Sequence, residues 1–498
     1  MNVVTISEAP LRIDELLDVA RGARVELAPS ARSQIHAGRA VVDDALTTGE
    51  PIYGLNTGVG HMKDIRLTES EVRTQQETLV MTHAGGLGDP LPAEVVRAAI
   101  LVRLNGIARG GSGASMAAAD VLAAMLNAGV HPVVPHTGSV GAGDLGQMAG
   151  IAMVAIGRGT AEFDGERLPG AEALRRARIE PLALGPRDGL ALISANGISI
   201  GHAALVIARV ERSAAMADVA LGLSLEATAG NPSIALPVIG AAKPYPGQID
   251  AGEGIRAALS GSYLFEAGVA HSVQDALSFR VTPQVHGAVR EMITFARRSI
   301  EIELNSISDN PLVSLRDKVL VHNGNFHPVV LAVAFDTLRI VLAHAGQLVE
   351  RRMSHLWDAI FENLAGAEGG VARVSAPASY GLSLRYPAAA LVSELKQLAA
   401  PATLDCPPLD VGTEDHATSA PLSVRKTESS VALLEDLLVI ELLLARDLLA
   451  TMPRVPRLGK ATGEVLRTVE ETVAQTSSPD AAHRELRSRM FPSSAEQA

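Results

Sequence analysis

Apolar residues recur at intervals of three and four along much of the chain, which is the spacing of one face of an α-helix. In the C-terminal part, the pattern predicts helices, most of them long, over residues 198–223, 284–304, 329–357, 391–398 and 429–452. Pro311 and Pro453 follow helical runs and are expected to end them. No segment alternates apolar and polar residues over enough positions to predict a large sheet.

The N-terminal part has a different character, because glycine is dense between residues 52 and 148. Glycines at this density mark turns and close approaches of the backbone. Helical patterns lie between them, at residues 94–108, 117–126 and 145–156. We therefore predict an all-α protein in three parts. These parts are a glycine-rich N-terminal domain (residues 1–200), a bundle of long helices (201–476) and a polar, loosely held tail (477–498).

The composition is that of a globular protein, with 47% apolar residues, 20% charged residues and a formal net charge of −12. The acidic balance and the 3% aromatic content argue against nucleic-acid binding. The one cysteine, Cys406, excludes an internal disulfide and fits a reducing, cytoplasmic compartment. The first residues show no basic segment followed by an apolar one, so no secretory signal is expected.

The most apolar stretch, residues 431–452, bears on both membranes and oligomers. Charged side chains interrupt it and argue against a membrane span; they are Glu435, Asp436, Glu441, Arg446 and Asp447. A helix this apolar is expected to be buried in a large core or against another subunit. Helices of this kind, with little polar surface, lead us to expect an oligomer.

Several polar segments could carry chemistry, although each one alone is better explained as a structural turn or a helix end. Residues 53–60 (YGLNTGVG) place Tyr53 on a glycine-flanked loop, where a phenol can move and act as a base. His83 precedes a second glycine cluster, and residues 136–146 form a glycine-rich loop without a nucleotide-binding pattern. Arg280 is a candidate clamp for a carboxylate, because a guanidinium binds that group with two parallel hydrogen bonds.

Taken together and in order, these segments resemble the histidine and aromatic amino-acid ammonia-lyases over residues 11–449. The most specific parts are residues 53–60, 128–132 leading into 138–141, 274–287, 305–311 and 414–416. The resemblance implies an all-α homotetramer that acts on a small amino-acid-like substrate, in active sites that combine residues from several subunits.

The resemblance also implies roles for single residues. Tyr53 matches the family's base for the β-proton, and Gly60 closes the loop that carries it. Arg280 matches the family's carboxylate clamp, and Phe326 matches an aromatic residue of the pocket wall. The residues that face the imidazole ring in histidine-specific members correspond to His83 and Glu414.

The sequence departs from the family where the prosthetic group is built. The family forms a methylidene-imidazolone from an Ala-Ser-Gly triad within the run GSVGASGDL, and the serine supplies the methylene carbon. Residues 138–145 read GSVGAGDL, so Ala142, Gly143 and Asp144 follow one another without the triad serine. Ser139 is a poor substitute, because Val140 follows it where cyclisation requires glycine. We therefore expect no methylidene-imidazolone. We also expect no metal ion.

Two further departures concern groups around the electrophile and the substrate amine. Leu277 stands where the family has a tyrosine, and Ser194 with Ala195 stands where it has Asn-Gly. These changes accompany the missing serine, which favours a genuine divergence over the omission of one residue.

Three functions remain open on this basis. The first is a carbon–nitrogen lyase without the electrophile, which expels a good amine leaving group from a histidine betaine such as ergothioneine. The second is a non-catalytic relative that binds a histidine-like ligand or a sister subunit. The third is an ordinary histidine ammonia-lyase, which converts L-histidine to urocanate and ammonia.

Overall fold

The computed structural model describes residues 2–365 and 379–492. Helices dominate, which confirms the prediction of an all-α protein. The α-helices are Ile13–Ala20, Pro29–Thr48, Glu69–His83, Ala93–Ala108, Met116–Ala128, Leu145–Ala155, Gly170–Arg176, Asp188–Ile193, Gly197–Ala227, Pro237–Ala242, Pro246–Ala258, Leu277–Arg280, Thr282–Leu304, Val329–Ala365, Tyr380–Ser383, Arg385–Leu398, Ala420–Thr451, Lys460–Gln475 and Pro479–Met490. Short 3-10 helices are Gly60–Met62, Pro232–Ala235, Tyr263–Phe265 and Asp410–Gly412.

The strands are short and form small separate sheets rather than one large sheet. One parallel pair joins Val3–Ile6 to Arg24–Leu27, with Val4 opposite Val25. The antiparallel groups are Leu87–Pro90 with Pro135–Thr137, His131–Pro132 with Thr160–Phe163 and Glu166–Pro169, and Leu312–Ser314 with Val319–Val321. Strands of two to four residues carry too short an alternation to be read from the sequence.

Local sequence explains where several helices begin and end. Ser115 caps the helix Met116–Ala128, because its hydroxyl accepts a hydrogen bond from the Ala118 N–H at 3.2 Å. The same helix ends at Gly129, whose φ of 75° lies in the left-handed region that glycine adopts without strain.

The chain divides into two compact units, each assembled from three segments. Unit 1 comprises Met1–Val206, Arg297–Ala334 and Ala402–Arg425, and unit 2 comprises Ile207–Ala296, Phe335–Pro401 and Lys426–Ala498. The predicted boundary after residue 200 lies close to the first change of unit. The predicted continuous C-terminal domain differs from this division, because two later segments return to unit 1 and pack there.

Unit 1 is centred on the helix Ala93–Ala108, which packs against the helices Ile13–Ala20 and Met116–Ala128. Every side chain from residue 95 to 108 is buried. Two of these are charged: Arg97 donates to backbone carbonyls, and Arg103 binds Asp309 through two hydrogen bonds of 2.8 and 3.1 Å. Both partners of the second pair are buried, so losing either would leave an unpaired charge in the core.

Unit 2 contains most of the long helix Ala420–Thr451, and its apolar side chains are buried within one chain. Leu434, for example, is 2% exposed. Of the two environments expected for this stretch, a large core and a contact with another subunit, the single chain shows the first. A buried ion pair also holds this helix, because Arg352 donates to both oxygens of Glu441 at 2.6 and 2.9 Å.

The predicted loose tail is also corrected. Pro479–Met490 forms a helix, and it buries Ala482 and Leu486 against the rest of unit 2. Its polar composition describes the exposed face of an amphipathic helix rather than an unfolded segment. Residues 493–498 lie outside the described part of the chain.

In the part of the chain that the structure describes, two helical stretches are long and apolar enough, by length and composition alone, to cross a membrane. They are Asp188–Ala227, whose most apolar window is 94% buried in the protein, and Val329–Leu364, whose window is 56% buried. The burial of Asp188–Ala227 is typical of a helix in the core of a protein. The second leaves apolar side chains on the surface, including Val330 at 58% and Ile340 at 41% exposed.

Candidate active site

A cavity of about 390 Å³ in unit 1 brings together most of the predicted site residues. Those that line it are Tyr53, Gly60, His83, Ala142, Ser194, Phe326 and Glu414. Gly143 and Asp144 follow Ala142 in the same loop without lining the cavity. The sequence analysis missed other lining residues, namely Val59, His61, Met62, Leu145, Leu190, Asn310 and Asp410.

The loop that carries Tyr53 folds back on itself. The Gly60 N–H donates a hydrogen bond of 3.0 Å to the phenol oxygen of Tyr53. Gly54 and Gly60 both have positive φ, at 62° and 59°, so the turn depends on glycine at these positions. The rings of Tyr53 and His322 lie perpendicular to each other, with their centroids 6.3 Å apart.

Several groups act on the Tyr53 phenol. Burial raises the pKa of Tyr53, the Gly60 hydrogen bond opposes that rise, and the negative charges of Glu414 and Asp410 add to it. The buried guanidinium of Arg187 lowers the pKa of Tyr53 by its positive charge. In the free chain the phenol therefore keeps its proton more firmly than an ordinary tyrosine, and a further positive charge nearby would favour the phenolate that acts as a base.

His83 ends the helix Glu69–His83, and its ring is fixed by that helix. Its Nδ1 lies 2.8 Å from the carbonyl oxygen of Leu79. Because a carbonyl only accepts, Nδ1 carries the hydrogen, and Nε2 of the neutral ring remains an acceptor. An imidazole N–H of a ligand is a suitable donor to that atom.

Glu414 closes a tight turn over residues 409–414. Its backbone pairs with that of Leu409, through hydrogen bonds of 2.8 and 3.2 Å. Burial raises the pKa of Glu414, the nearby charge of Asp410 adds to the rise, and His83 opposes it. The carboxyl group therefore shares the cavity with a second acid and faces the same space as His83.

The glycine-rich loop forms an ordered support beneath the cavity. Asp144 is fully buried and accepts hydrogen bonds from the Ser139 hydroxyl (2.8 Å), the Ser199 N–H (2.7 Å) and the Ser199 hydroxyl (3.0 Å). Burial raises the pKa of Asp144, and these hydrogen bonds oppose the rise. The Gly143 N–H donates to the carbonyl of Phe326 at 3.0 Å, which fixes the backbone of this wall residue.

Ser194 follows the short helix Asp188–Ile193 and is 6% exposed. Its neighbour Ala195 accepts a hydrogen bond of 2.8 Å from the Asp144 N–H. A hydrogen bond therefore joins the segment of Ser194 and Ala195 to the glycine-rich loop, so a change in one is expected to shift the other.

The charge of the cavity wall is negative. Among the described residues that line it, Asp410 and Glu414 are acids, His61 and His83 are histidines, and none is a lysine or arginine. The rings of Tyr53 and Phe326 add faces that attract cations. Such a lining favours a ligand with a positively charged group.

Arg280 lies in unit 2, at the end of the helix Leu277–Arg280, and does not line the cavity described above. Its side chain is half-buried, and it forms no ion pair with the described residues. Leu277 beside it is 58% exposed, and Val273 is 92% exposed. The predicted carboxylate clamp is thus without an acidic partner in this part of the structure. Among the described residues, no group of three or more potential ligands is placed to hold a metal ion.

Comparison with known proteins defines the class. The family described as "Aromatic amino acid lyase" matches residues 11–471. The chain therefore belongs to the aromatic amino acid lyase family, which confirms the predicted fold and the predicted enzyme class, a lyase.

Curated relatives and solved structures narrow the comparison. A histidine ammonia-lyase of Anaeromyxobacter sp. (strain K) is 39% identical over 98% of this chain and 97% of its own length. A histidine ammonia-lyase of Gloeobacter violaceus is 40% identical over 92% of this chain and 90% of its own length. Among solved structures, the ergothioneine-degrading ergothionase of Treponema denticola is 26% identical with a TM-score of 0.91, over 99% of this chain and 100% of that one. The histidine ammonia-lyase of Trypanosoma cruzi is 29% identical with a TM-score of 0.85, over 100% of this chain and 95% of that one.

Proposed function

We propose that the protein is a carbon–nitrogen lyase that eliminates a tertiary amine, such as trimethylamine, from a histidine-derived betaine such as ergothioneine, without a methylidene-imidazolone. The observation that carries this proposal is the loop over residues 138–144, which has no serine between Ala142 and Gly143. The ergothionase of Treponema denticola, a structural neighbour that degrades ergothioneine, supports the same direction.

The loop does not fit the prosthetic group of the family. Cyclisation into that group uses a serine Cβ as the methylene carbon, and the serine present in this loop, Ser139, is followed by Val140. The Ser139 hydroxyl is also engaged, because it donates to Asp144 and accepts from the Gly141 N–H at 2.9 Å. The proposed reaction therefore proceeds without an electrophile.

A quaternary ammonium removes the need for one. The electrophile bonds to the lone pair of a free amine and makes it leave, whereas a trimethylammonium nitrogen has no lone pair and already leaves as a neutral amine. In the proposed step, the Tyr53 phenolate takes the proton from the substrate's Cβ. The electron pair of that C–H bond forms the Cα–Cβ double bond, and the Cα–N bond breaks with its electrons on trimethylamine. The product is an acrylate.

The charges of the cavity suit this substrate. A trimethylammonium group near Asp410 and Glu414 would offset the two negative charges that raise the pKa of Tyr53. Substrate binding would thereby help to prepare the base. His83, with Nε2 as an acceptor, and Glu414 would hold the imidazole ring, and Phe326 would cover it.

Arg280 would bind the substrate carboxylate from another subunit. The family resemblance implies sites that combine several subunits, and Arg280 lies beside exposed apolar side chains and without an acidic partner among the described residues. The proposal accordingly includes a homotetramer in the cytoplasm.

The test is a comparison of L-histidine, its betaine and ergothioneine, with detection of trimethylamine, ammonia and the ultraviolet absorbance of an acrylate. We expect trimethylamine and the acrylate from a betaine, and neither product from the Tyr53→Phe variant. Release of ammonia and urocanate from L-histidine would instead support an ordinary histidine ammonia-lyase, which the identity to relatives of that name favours. No product from any of the three would favour a non-catalytic relative.

A further inference from the structure

The side chain of Asp410 lies against the backbone of the loop that carries Tyr53, although the two are far apart in sequence. Its Oδ2 accepts a hydrogen bond of 2.9 Å from the His61 N–H, and its Oδ1 lies 2.5 Å from His61 Nδ1. One carboxylate therefore binds both the backbone and the side chain of the same residue. Such paired, charge-assisted contacts are stronger than a neutral hydrogen bond.

Gly60 permits this approach. A Cβ atom at this position would overlap the Asp410 carboxylate, and the φ of 59° is one that side-chain-bearing residues rarely adopt. The glycine thus serves both the shape of the loop and the space for Asp410.

The hydrogen bond of Asp410 lies next to the hydrogen bond of the proposed base, Tyr53, because the two involve the N–H groups of consecutive residues. Asp410 binds the N–H of His61, and the preceding N–H, that of Gly60, donates to the Tyr53 phenol oxygen. Holding the His61 N–H in place limits the movement of the Gly60 backbone and so helps to keep the Gly60 N–H directed at the phenol oxygen. Without Asp410, the described structure retains no other side chain bonded to the His61 N–H.

The turn over residues 409–414 also carries Glu414, four residues after Asp410. Two backbone hydrogen bonds between Leu409 and Glu414 close this turn. The turn over residues 409–414 therefore contacts the Tyr53 loop through the carboxylate of Asp410, and the carboxylate of Glu414 in the same turn lines the cavity.

We propose that Asp410 is a positioning residue, which clasps the loop over residues 53–62 and so places the Tyr53 phenol for proton removal. This inference rests on the proposed role of Tyr53 as the base. Asp410 itself need not touch the reacting atoms.

The first test is hydrogen exchange in the ligand-free, full-length protein, which needs no substrate. In the Asp410→Ala variant, the amides of Gly60 and His61 should exchange about 10-fold faster, since one charge-assisted hydrogen bond is lost. Asp410→Asn should restore most of the protection, because its amide oxygen can still accept from the His61 N–H. The control is Asp64→Ala, which removes a 90% exposed carboxylate a few residues further along the chain.

Unchanged exchange in Asp410→Ala would overturn the proposal, and so would faster exchange spread evenly over unit 1, which indicates general destabilisation. The second readout is turnover on whichever substrate the comparison of amino acids and betaines identifies. We expect KM to rise alike in Asp410→Ala and Asp410→Asn, because both variants remove the negative charge near the substrate's ammonium group. In contrast, kcat should fall by about 10-fold or more in Asp410→Ala and should recover in part in Asp410→Asn. If the wild type turns over none of those compounds, the proposed function fails, whereas the exchange experiment still decides whether Asp410 clasps the loop.

Discussion

At the scale of single residues, the phenol hydroxyl of Tyr53 is the group on which the proposed chemistry depends. Tyr53→Phe removes that oxygen and leaves the ring that lines the cavity. We expect turnover of the betaine to be lost, by about 1,000-fold or more, while binding changes little. Binding by calorimetry and turnover by trimethylamine release separate the two effects. Full activity in this variant would show that another group removes the proton.

The pH dependence of the reaction tests the charges around Tyr53. A tyrosine base works without its proton, so kcat/KM should rise with pH through the pKa of Tyr53 in the free enzyme. Glu414 raises that pKa by its negative charge. In Glu414→Gln the pKa of Tyr53 should therefore be lower, and the rising limb of the profile should move to lower pH.

The same variant should bind an imidazole ligand more weakly, since a hydrogen-bond acceptor has lost its charge. Glu50→Gln is the matched control, because Glu50 is an exposed acid three residues before Tyr53 and does not line the cavity. A rising limb that stays in place in Glu414→Gln would contradict the assignment of Tyr53 as the titrating base.

Residue-scale features divide into those that the sequence predicts and those that it does not. Tyr53, His83 and Glu414 lie in recognisable motifs, and the structure brings them to one cavity. His61 and Asp410 carried no local signal, because their contact joins positions 349 residues apart. A hydrogen bond between such distant segments exists only once the chain has folded, so composition and spacing give no indication of it.

At the scale of elements, the glycine-rich loop decides which chemistry is available. The wild-type protein should have the intact mass of its unmodified chain, because the methylidene-imidazolone forms with the loss of two waters. A mass lower by two waters, localised to residues 138–145, would overturn the proposed route.

Inserting a serine between Ala142 and Gly143 tests the same loop in the opposite direction. We expect the insertion not to produce full histidine ammonia-lyase activity, even where the group forms, because Leu277 and Ser194 still differ from the family. The backbone hydrogen bond from Gly143 to Phe326 would also have to shift to admit another residue. Mass spectrometry and urocanate absorbance measure the two outcomes.

The helices show why elements are more predictable than their arrangement. The apolar period predicts residues 94–108 and 284–304, and the structure has Ala93–Ala108 and Thr282–Leu304. Helical periodicity is local, so each segment reports its own conformation. The return of residues 297–334 and 402–425 to unit 1 depends on contacts between distant segments, as in the Arg103–Asp309 pair. No local pattern encodes such contacts.

At the scale of the whole molecule, the exposed apolar side chains of one long helix are the candidate surface for contacts between subunits. The helix Ala420–Thr451 is already covered, whereas the helix Val329–Ala365 exposes apolar side chains; they include Val330, Ile340 and Phe361. If this face is an interface of the proposed tetramer, we expect Val330→Asp to shift the protein towards smaller species, because it would place a charge among apolar side chains. Val3→Asp, at a position of similar exposure (47%), is the control.

Sedimentation velocity measures this effect. A wild-type protein that remains a monomer at every concentration would contradict the tetramer. If Val330→Asp leaves a tetramer unchanged, the interface between subunits lies on another face of the protein.

The subunits should also share their active sites. If Tyr53 and Arg280 of one site come from different copies, a Tyr53→Phe protein and an Arg280→Ala protein are each inactive, yet mixed tetramers contain some sites with both groups intact. Random mixing in equal amounts should restore about a quarter of the wild-type activity, because each site draws an intact Tyr53 and an intact Arg280 independently, each in half of the cases. The mixture is prepared by dissociation and reassembly, and each variant reassembled alone is the control. No recovery in tetramers shown to contain both variants would place Tyr53 and Arg280 of a site on the same subunit. An Arg280→Ala protein that keeps its activity when reassembled alone would show that Arg280 is not part of the site.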